Sequence, residues 1–207
     1  MGASSGKEAP PVTLEDISSI KLTDLSNDTS ISSSELWNNN PDECIVIYLV
    51  RRPGCPLCRE QAATLTEITR RGLRGIRLVA VVHENSFPED VAKFQEYFGR
   101  NKVYLDNSKG FFAALGSRTL GYEALMWPSV INAFRRAMGK NIEGTLSGEG
   151  RLLGGLLVAT TERVWYQHKE EYFGDWPSNS DVVAAIESAA RQSEVAFITP
   201  NLVSNWN

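Results

Sequence analysis

Two cysteines lie three residues apart in the segment RRPGCPLCRE, residues 51–60. A cysteine thiolate is a nucleophile and a metal ligand, and two thiols at this spacing can also close into a disulfide. Cys55 and Cys58 are therefore candidates for redox chemistry, for metal binding, or for burial as two small apolar side chains. The neighbouring residues decide between these alternatives.

The residues beside Cys55 favour its thiolate form. Pro56 suits the first position of a helix, so Cys55 is predicted to be the N-cap, with its sulfur facing unpaired backbone N–H groups and the positive end of the helix dipole. Arg51 and Arg52 add positive charge, which depresses the pKa of a thiol further. The predicted structural supports of this turn are Pro53, Gly54 and Pro56. We therefore expect Cys55 to be an exposed thiolate.

Helical spacing assigns a different role to the second cysteine. Cys58, Ala62 and Leu65 recur at intervals of three or four residues, which places them on the core-facing stripe of the same helix. We expect Cys55 to attack a substrate and the shielded Cys58 to displace the product by forming the disulfide.

A metal site and a proton relay are weaker alternatives. Zinc needs four ligands and the cysteine pair supplies two, with only Cys44, His83 and His168 remaining, so we expect no metal. Cys44 falls within a strand pattern and is expected to be core. His83 closes a predicted strand and could approach Cys55 as a proton relay, although a surface loop position is the simpler interpretation.

Two further titratable side chains have structural interpretations. His168 lies in an alternating strand pattern and is expected to be packed or half-exposed. Glu60 falls in the first turn of the predicted helix, where a capping or dipole role is expected rather than an acid's role.

Alternating strands and helices must position the dithiol. The buried run ECIVIYLV leads directly into it, and a helix is expected to follow as far as Gly72. The next predicted elements are a strand in GIRLVAVVHE, a helix in FPEDVAKFQEYFG and a strand in KVYLD. This order predicts an α/β layer fold with parallel strands and helices on the sheet faces.

The second half of the chain is predicted to close the sheet. Residues 107–150 are expected to be helical and irregular, residues 152–170 to form two strands joined by a turn, and residues 179–192 to form the last helix. Within the helical part, Trp127, Phe134 and Met138 form an apolar stripe. Burial against the sheet is the expected role of this stripe, and a lid or a membrane-surface helix is the alternative.

Composition limits the classes of function. A chain of 207 residues with 42% hydrophobic residues is expected to fold as one domain, here residues 16–193 between flexible tails at 1–15 and 194–207. The net charge of -4 argues against a nucleic-acid partner. We find no apolar run long enough for a transmembrane segment and no signal or transit pattern at the start, which predicts a cytoplasmic protein.

Together these motifs resemble one family. RRPGCPLCRE after a β-branched strand, LVAVVHE one helix later, YLD, and the late GEGRLLGGLLV are similar to the peroxiredoxin-like 2 group of AhpC/TSA-type antioxidant proteins, over about residues 17–192. That group includes a prostamide/prostaglandin F synthase and a redox regulatory protein. The resemblance implies a thioredoxin-like fold with a central mixed sheet flanked by helices and a helical insertion before the last hairpin.

The resemblance also implies a function. It makes Cys55 and Cys58 the functional dithiol, with a small peroxide or lipid endoperoxide as substrate, no bound cofactor, and a thioredoxin-type system using NADPH as the source of electrons. Typical peroxiredoxins carry P-x-x-x-[ST]-x-x-C, and Tyr48 and Arg52 occupy the first two defined positions here. The missing hydroxyl motivates the alternative of a non-enzymatic redox regulator. A thioredoxin-like disulfide reductase is a third hypothesis, although the late strand lacks a preceding proline.

Overall fold

The computed structural model describes residues 11–39, 43–70 and 75–192, which form a mixed sheet between two layers of helices. Its strands are β1 (Lys21–Asp24), β2 (Thr29–Ser32), β3 (Cys44–Val50), β4 (Ile76–Val82), β5 (Lys102–Leu105), β6 (Gly155–Ala159) and β7 (Val164–Lys169). Its α-helices are α1 (Leu14–Ile17), α2 (Glu35–Asn38), α3 (Pro56–Arg70), α4 (Pro88–Tyr97), α5 (Gly110–Ala114), α6 (Pro128–Gly139) and α7 (Asn179–Gln192), with a 3₁₀ helix at Tyr122–Met126.

The sheet has the strand order β2-β1-β5-β4-β3-β6-β7. Strands β3, β4 and β5 are parallel, as the alternation of strands and helices predicted. Strand β6 is antiparallel to β3, and β7 is antiparallel to β6, so β7 runs in the same direction as β3. The carboxyl ends of β3, β4, β5 and β7 therefore share one edge of the sheet.

Strand β3 is central because its side chains are apolar on both faces. Tyr48 belongs to the core beneath α3, α4 and α7, whereas Ile47 and Leu49 belong to the core on the opposite face. All seven residues of the strand are buried. Because side chains alternate across a strand, this run contributes to both cores and fixes the position of the segment that follows it.

The part of the chain that was expected to be helical and irregular, residues 107–150, contains two successive helices separated at Trp127. A 3₁₀ helix ends before Trp127, whose extended backbone (φ -65°, ψ 136°) precedes Pro128 at the first position of α6. A residue before proline is pushed out of the helical region, which explains the break.

The expected burial of the apolar stripe is wrong for two of its three residues. Trp127 is 43% exposed and Met138 is 70% exposed, whereas Phe134 is partly buried against the core. The residues of α6 that face inward are instead the smaller Val130, Ala133 and Ala137. Small side chains allow α6 to pack closely on α3, which leaves the large apolar side chains outside.

The first tail is shorter than expected. Thr13 caps α1 in a capping box with Asp16, and Val12 is buried while its backbone N–H donates to the Gln167 side chain at 2.7 Å. Residues 11–15 are therefore part of the fold. Residues 1–10, Gly72 and residues 194–207 lie outside the described residues, so the remaining tails and the predicted helix stop stay predictions.

Candidate active site

Cys55 and Cys58 lie where β3 passes into α3. The Cys55 carbonyl accepts the Arg59 N–H at 3.0 Å, which makes Cys55 the residue that begins the helix, with Pro56 at its first position. Cys58 faces the core, as predicted, and its carbonyl accepts the Tyr48 hydroxyl at 3.3 Å. All three cysteines of the chain are free thiols and buried in this structure. Cys44 lies in β3, where burial raises its pKa to about 12.

Arg51 binds the sulfur of Cys55. Its Nη2 donates to Cys55 Sγ at 2.7 Å and its Nη1 to the Gly150 carbonyl at 2.9 Å, while the guanidinium lies 4.6 Å from the centre of the Phe173 ring. Arg51 is itself only 2% exposed. Because the buried guanidinium is held by three contacts, it cannot turn towards water. Its positive charge therefore stays next to the Cys55 sulfur.

The two thiols have opposite electrostatic environments. Burial acts to raise the pKa of Cys55, but the hydrogen bonds from the Cys58 thiol and backbone N–H, together with the charges of Arg51 and Arg52, outweigh it and hold that pKa well below its usual range. Burial, the hydrogen bond that its thiol donates and the charge of Cys55 raise the pKa of Cys58. The arrangement therefore favours a Cys55 thiolate beside a Cys58 thiol.

The expectation that Cys55 is exposed is wrong, since Cys55 is 0% exposed. Residues 143–150, which we call the strap, pass over the start of α3. Within it, the Thr145 N–H donates to the Gly54 carbonyl at 2.7 Å, and the Gly144 backbone lies against the Pro56 ring. The strap therefore packs over the N-terminus of α3, next to the buried Cys55.

Two arginines and one carboxylate hold the strap in place. Arg52 donates to the Leu146 carbonyl at 2.7 Å, so it lies along the strap, whereas Arg51 reaches the sulfur. Arg59 donates to the carbonyls of Pro53 and Glu143 at 2.9 and 2.8 Å. The cluster is completed by Asp90, which pairs with Arg59 at 3.0 Å and accepts the Thr145 hydroxyl at 2.7 Å.

Gly54 is required by the close approach of the strap. A Cβ at this position would collide with the Thr145 hydroxyl and the Asp90 carboxylate. The turn Pro53-Gly54 therefore supports the site by letting the strap reach the backbone.

His83 is buried at 5% exposure, so its expected position on a surface loop is wrong. It follows β4 at the same sheet edge as Cys55, and its Nε2 donates to the Arg51 carbonyl at 2.9 Å. Burial lowers the pKa of His83, against the Arg51 carbonyl and Glu84, which raise it. His83 thus touches the site through the Arg51 backbone, and its predicted role as a proton relay stays a prediction.

Glu60 and His168 have structural partners. For Glu60, a capping or dipole role was expected rather than an acid's role. Its carboxylate binds Arg136 Nε at 2.9 Å and Lys140 Nζ at 2.8 Å, a structural role that joins α3 to the end of α6. His168 lies partly buried in β7, as expected, and its Nε2 donates to the Asp175 carbonyl at 3.0 Å.

Comparisons with known proteins identify the family. A family model described as AhpC/TSA antioxidant enzyme matches residues 61–172. Peroxiredoxin-like 2A of Xenopus tropicalis is 36% identical over 165 residues, covering 78% of this chain and 69% of that protein. Peroxiredoxin-like 2A of Homo sapiens is 36% identical over 166 residues, covering 78% and 70%. The chain belongs to the peroxiredoxin-like 2 family. Membership in this family supports a role as a redox oxidoreductase, although the family-model match begins after Cys58.

Solved structures confirm the fold expected for a peroxiredoxin-like 2 protein. The peroxidoxin BcpB of Mycobacterium tuberculosis gives a TM-score of 0.52 at 16% identity, covering 81% of this chain and 91% of that one. A thioredoxin-like protein from Aeropyrum pernix gives a TM-score of 0.52 at 16% identity, covering 84% and 92%. The fold is therefore thioredoxin-like.

Glu170 is a site residue of this peroxiredoxin-like 2 chain that sequence reasoning missed. It follows β7 directly and is 0% exposed, and Arg51 and Cys55 both act on its pKa. Its position follows from the strand pairing, because the end of β7 lies at the same edge of the sheet as the end of β3. The sequence showed only a charged residue directly after the last predicted strand.

Neither a metal-binding cluster nor a membrane-spanning helix occurs in the described residues of this peroxiredoxin-like 2 protein. Among them, no group of three or more His, Cys, Asp or Glu side chains is arranged to hold a metal ion. Within the same part of the chain, no helix is both long and apolar enough to cross a membrane.

Proposed function

We propose that the protein is a thiol oxidoreductase that reduces a peroxide or a lipid endoperoxide, with Cys55 as the nucleophile and Cys58 as the resolving thiol. The observation that carries the proposal is the Cys55 sulfur held by Arg51 at 2.7 Å beside a Cys58 thiol whose pKa is raised. A thiolate attacks one oxygen of the O–O bond and becomes a sulfenic acid with a hydroperoxide, or a sulfenate ester with an endoperoxide. A neighbouring thiol then forms the disulfide with loss of water or of the alcohol, respectively.

The reductant in this proposal is a thioredoxin-type protein supplied by NADPH, with no cofactor bound by the chain itself. Membership in the thioredoxin-like peroxiredoxin-like 2 family favours redox partners of this kind. A dithiol that turns over needs a reducing compartment, so we propose a cytoplasmic location.

Substrate must reach a sulfur that the strap covers, so the strap has to move during turnover. A Cβ at Gly144 would collide with the Pro56 ring and lie 2.7 Å from the Gly54 carbonyl oxygen, whereas a Cβ at Gly139 would meet nothing within 4 Å. Overpacking costs about 1–3 kcal/mol, and about 1.4 kcal/mol is tenfold in an equilibrium. Gly144→Ala is therefore expected to raise the open population and the alkylation rate of Cys55 about tenfold.

The matched control for this prediction is Gly139→Ala, which is expected to leave the alkylation rate within a factor of two or so of wild type. The rate is measured by mass spectrometry after timed exposure to an alkylating reagent. Equal rates in Gly144→Ala and wild type would mean that the strap does not limit access to the sulfur.

A redox regulator that changes partners with its disulfide state is the second candidate function. Two observations favour it. Arg52, at the position where typical peroxiredoxins carry a hydroxyl, donates to the strap, and Arg51 with the strap surrounds the sulfur. A site filled by its own side chains can switch state without room for rapid turnover.

Oxidation by a small panel of peroxides separates the two candidates. The reduced protein is mixed with one equivalent of hydrogen peroxide, an organic hydroperoxide or a prostaglandin endoperoxide, and the products are mapped by mass spectrometry. NADPH consumption is then followed with thioredoxin and thioredoxin reductase. We expect a Cys55–Cys58 disulfide and repeated turnover with at least one substrate. A disulfide that forms without turnover favours the regulator, and the lack of any disulfide contradicts both candidates.

A further inference from the structure

Glu170 is a buried carboxyl that the proposed function does not use. Its backbone N–H donates to the Gly154 carbonyl at 3.2 Å, and its Oε2 accepts the Gly154 N–H at 3.2 Å. Its Oε1 is buried and has no hydrogen-bond partner within the described residues. Burying a carboxyl with one unpartnered oxygen costs free energy of folding. A functional role at the dithiol would explain why such a group is present at this edge of the sheet.

Gly154 places this carboxyl beside Arg51. A Cβ on Gly154 would collide with the Leu49 carbonyl oxygen and lie 3.3 Å from the Arg51 backbone nitrogen. The Nε of Arg51 is also buried without a hydrogen-bond partner among the described residues. The charge of Arg51 acts on the pKa of Glu170, so the two buried groups interact, and each carries one polar atom without a hydrogen-bond partner among the described residues.

The charge of Glu170 follows from the groups that face it. The titratable and charged groups that act on it or are acted on by it are Tyr48, Arg51, Cys55, Cys58 and Asp175. Burial raises the pKa of Glu170 to about 8, against Arg51 and the Gly154 N–H, which lower it, while Cys55 and Asp175 raise it further. In the dithiol state at neutral pH, the site thus holds an Arg51 cation, a Cys55 thiolate and a neutral Glu170.

Oxidation removes the thiolate and leaves the Arg51 cation without its anion. We infer that Glu170 and Cys55 alternate as the anion beside Arg51, so that Glu170 releases a proton when the dithiol is oxidised and takes one back when it is reduced. The physical reason is that a buried cation is stable only with a counter-charge nearby, and the unpartnered Oε1 of Glu170 can supply it. The inference rests on the proposed function only in requiring that Cys55 and Cys58 form a disulfide.

The proton balances the chemistry of each step. With a peroxide, the Cys55 thiolate forms an S–O bond as the O–O bond breaks, so sulfur loses two electrons and the leaving oxygen gains them together with the Glu170 proton. Cys58 then forms the S–S bond as the S–O bond breaks, and its proton leaves with the hydroxide as water. Reduction by a dithiol returns two electrons and two protons, one to Cys58 and one to Glu170.

The pH dependence of the redox equilibrium with glutathione gives the number of protons taken up on reduction, and it requires no peroxide turnover. Glutathione thiols are protonated below about pH 8.5, so forming one glutathione disulfide releases two protons. Reduced wild-type protein takes up both protons, one on Cys58 and one on Glu170. The equilibrium constant for reduction of its disulfide by glutathione is therefore expected to stay constant from about pH 6 to pH 7.5. Glu170→Gln takes up only the Cys58 proton, so its equilibrium constant should rise about tenfold per pH unit towards the dithiol.

The dithiol fraction is measured by acid quenching, alkylation and mass spectrometry. The control is Glu60→Gln, a carboxyl on α3 that binds Arg136 and Lys140 and whose pKa is lowered by them against burial, so it is ionised in both redox states. This control should match the constant wild-type profile.

Equal pH profiles in wild type and Glu170→Gln would overturn the inference. If Glu170→Gln does not fold, the wild-type profile decides alone, because a tenfold change per pH unit there would mean that only one proton is taken up. Absence of any disulfide in wild type would overturn the proposed function and the inference together, whereas equal profiles would overturn the inference only.

Discussion

Replacing Cys55 with serine is expected to abolish peroxide consumption, lowering its rate by about 10³-fold or more, since a serine hydroxyl beside Arg51 is not an equivalent nucleophile. Cys58→Ser is expected to behave differently. Its Cys55 can still attack once, so one equivalent of peroxide is consumed and turnover then stops at the sulfenic acid. The measurements are peroxide consumption and the mass of the modified peptide.

The third cysteine provides the matched control. Cys44 is 0% exposed in β3 and has a raised pKa, so Cys44→Ser removes a buried thiol without touching the dithiol. We expect the rate of Cys44→Ser to stay within a factor of about three of wild type. Peroxide consumption that persists in Cys55→Ser, or a single turnover in Cys44→Ser, would contradict the assigned roles.

Replacing Arg51 with methionine is expected to slow the reaction of Cys55 about tenfold or more at pH 7. The change removes the donor at 2.7 Å and one of the two charges that oppose burial, so the pKa of Cys55 rises, while the Cys58 hydrogen bonds and Arg52 still act to lower it. Each unit by which the pKa of a thiol exceeds the pH lowers its thiolate fraction about tenfold. The rate of alkylation or peroxide reaction as a function of pH measures the change.

The sign of the pH dependence distinguishes lost charge from lost structure. In wild type the lowered pKa keeps Cys55 a thiolate at neutral pH, and reactivity is lost only as the pH falls through that lowered value. In Arg51→Met, reactivity should recover as the pH rises towards 9. The control is Arg136→Met, whose half-exposed side chain binds Glu60. A flat profile in Arg51→Met would show that Arg51 does not set the charge of Cys55.

Local signals predicted the elements that present the dithiol. The β-branched run in Cys44–Val50 can only be a strand covered on both faces, and Pro56 is suited to the first turn of a helix. The different roles of the two cysteines were predicted from the same short segment, because Cys58 lies on the core-facing stripe of α3. These inferences needed only neighbours within about one helical turn of each other.

The strap could not be predicted in this way. Arg51 and Arg52 meet it across 99 and 94 residues of chain, at Gly150 and Leu146. The strap is contacted through its backbone carbonyls. Because every residue type has a backbone carbonyl, no sequence pattern predicts these contacts. For that reason Cys55 was expected to be exposed, as helix N-termini at a sheet edge usually are, and was found covered.

Glu170 was missed for a different reason. Its identity as an acid directly after a strand was visible, but its relation to Cys55 depends on two successive antiparallel pairings that reverse the chain direction twice. Strand order carries that information, whereas periodicity does not.

Because the strap covers the Cys55 sulfur, the rate at which the strap opens can limit the rate of oxidation. If Cys55 reacts only while the strap is displaced, oxidant at high concentration captures every opening, and the observed rate then equals the opening rate. Beyond that concentration, more oxidant brings no faster response. The protein would thus follow oxidant that persists, whereas a brief pulse that ends before the strap opens would leave the dithiol unchanged.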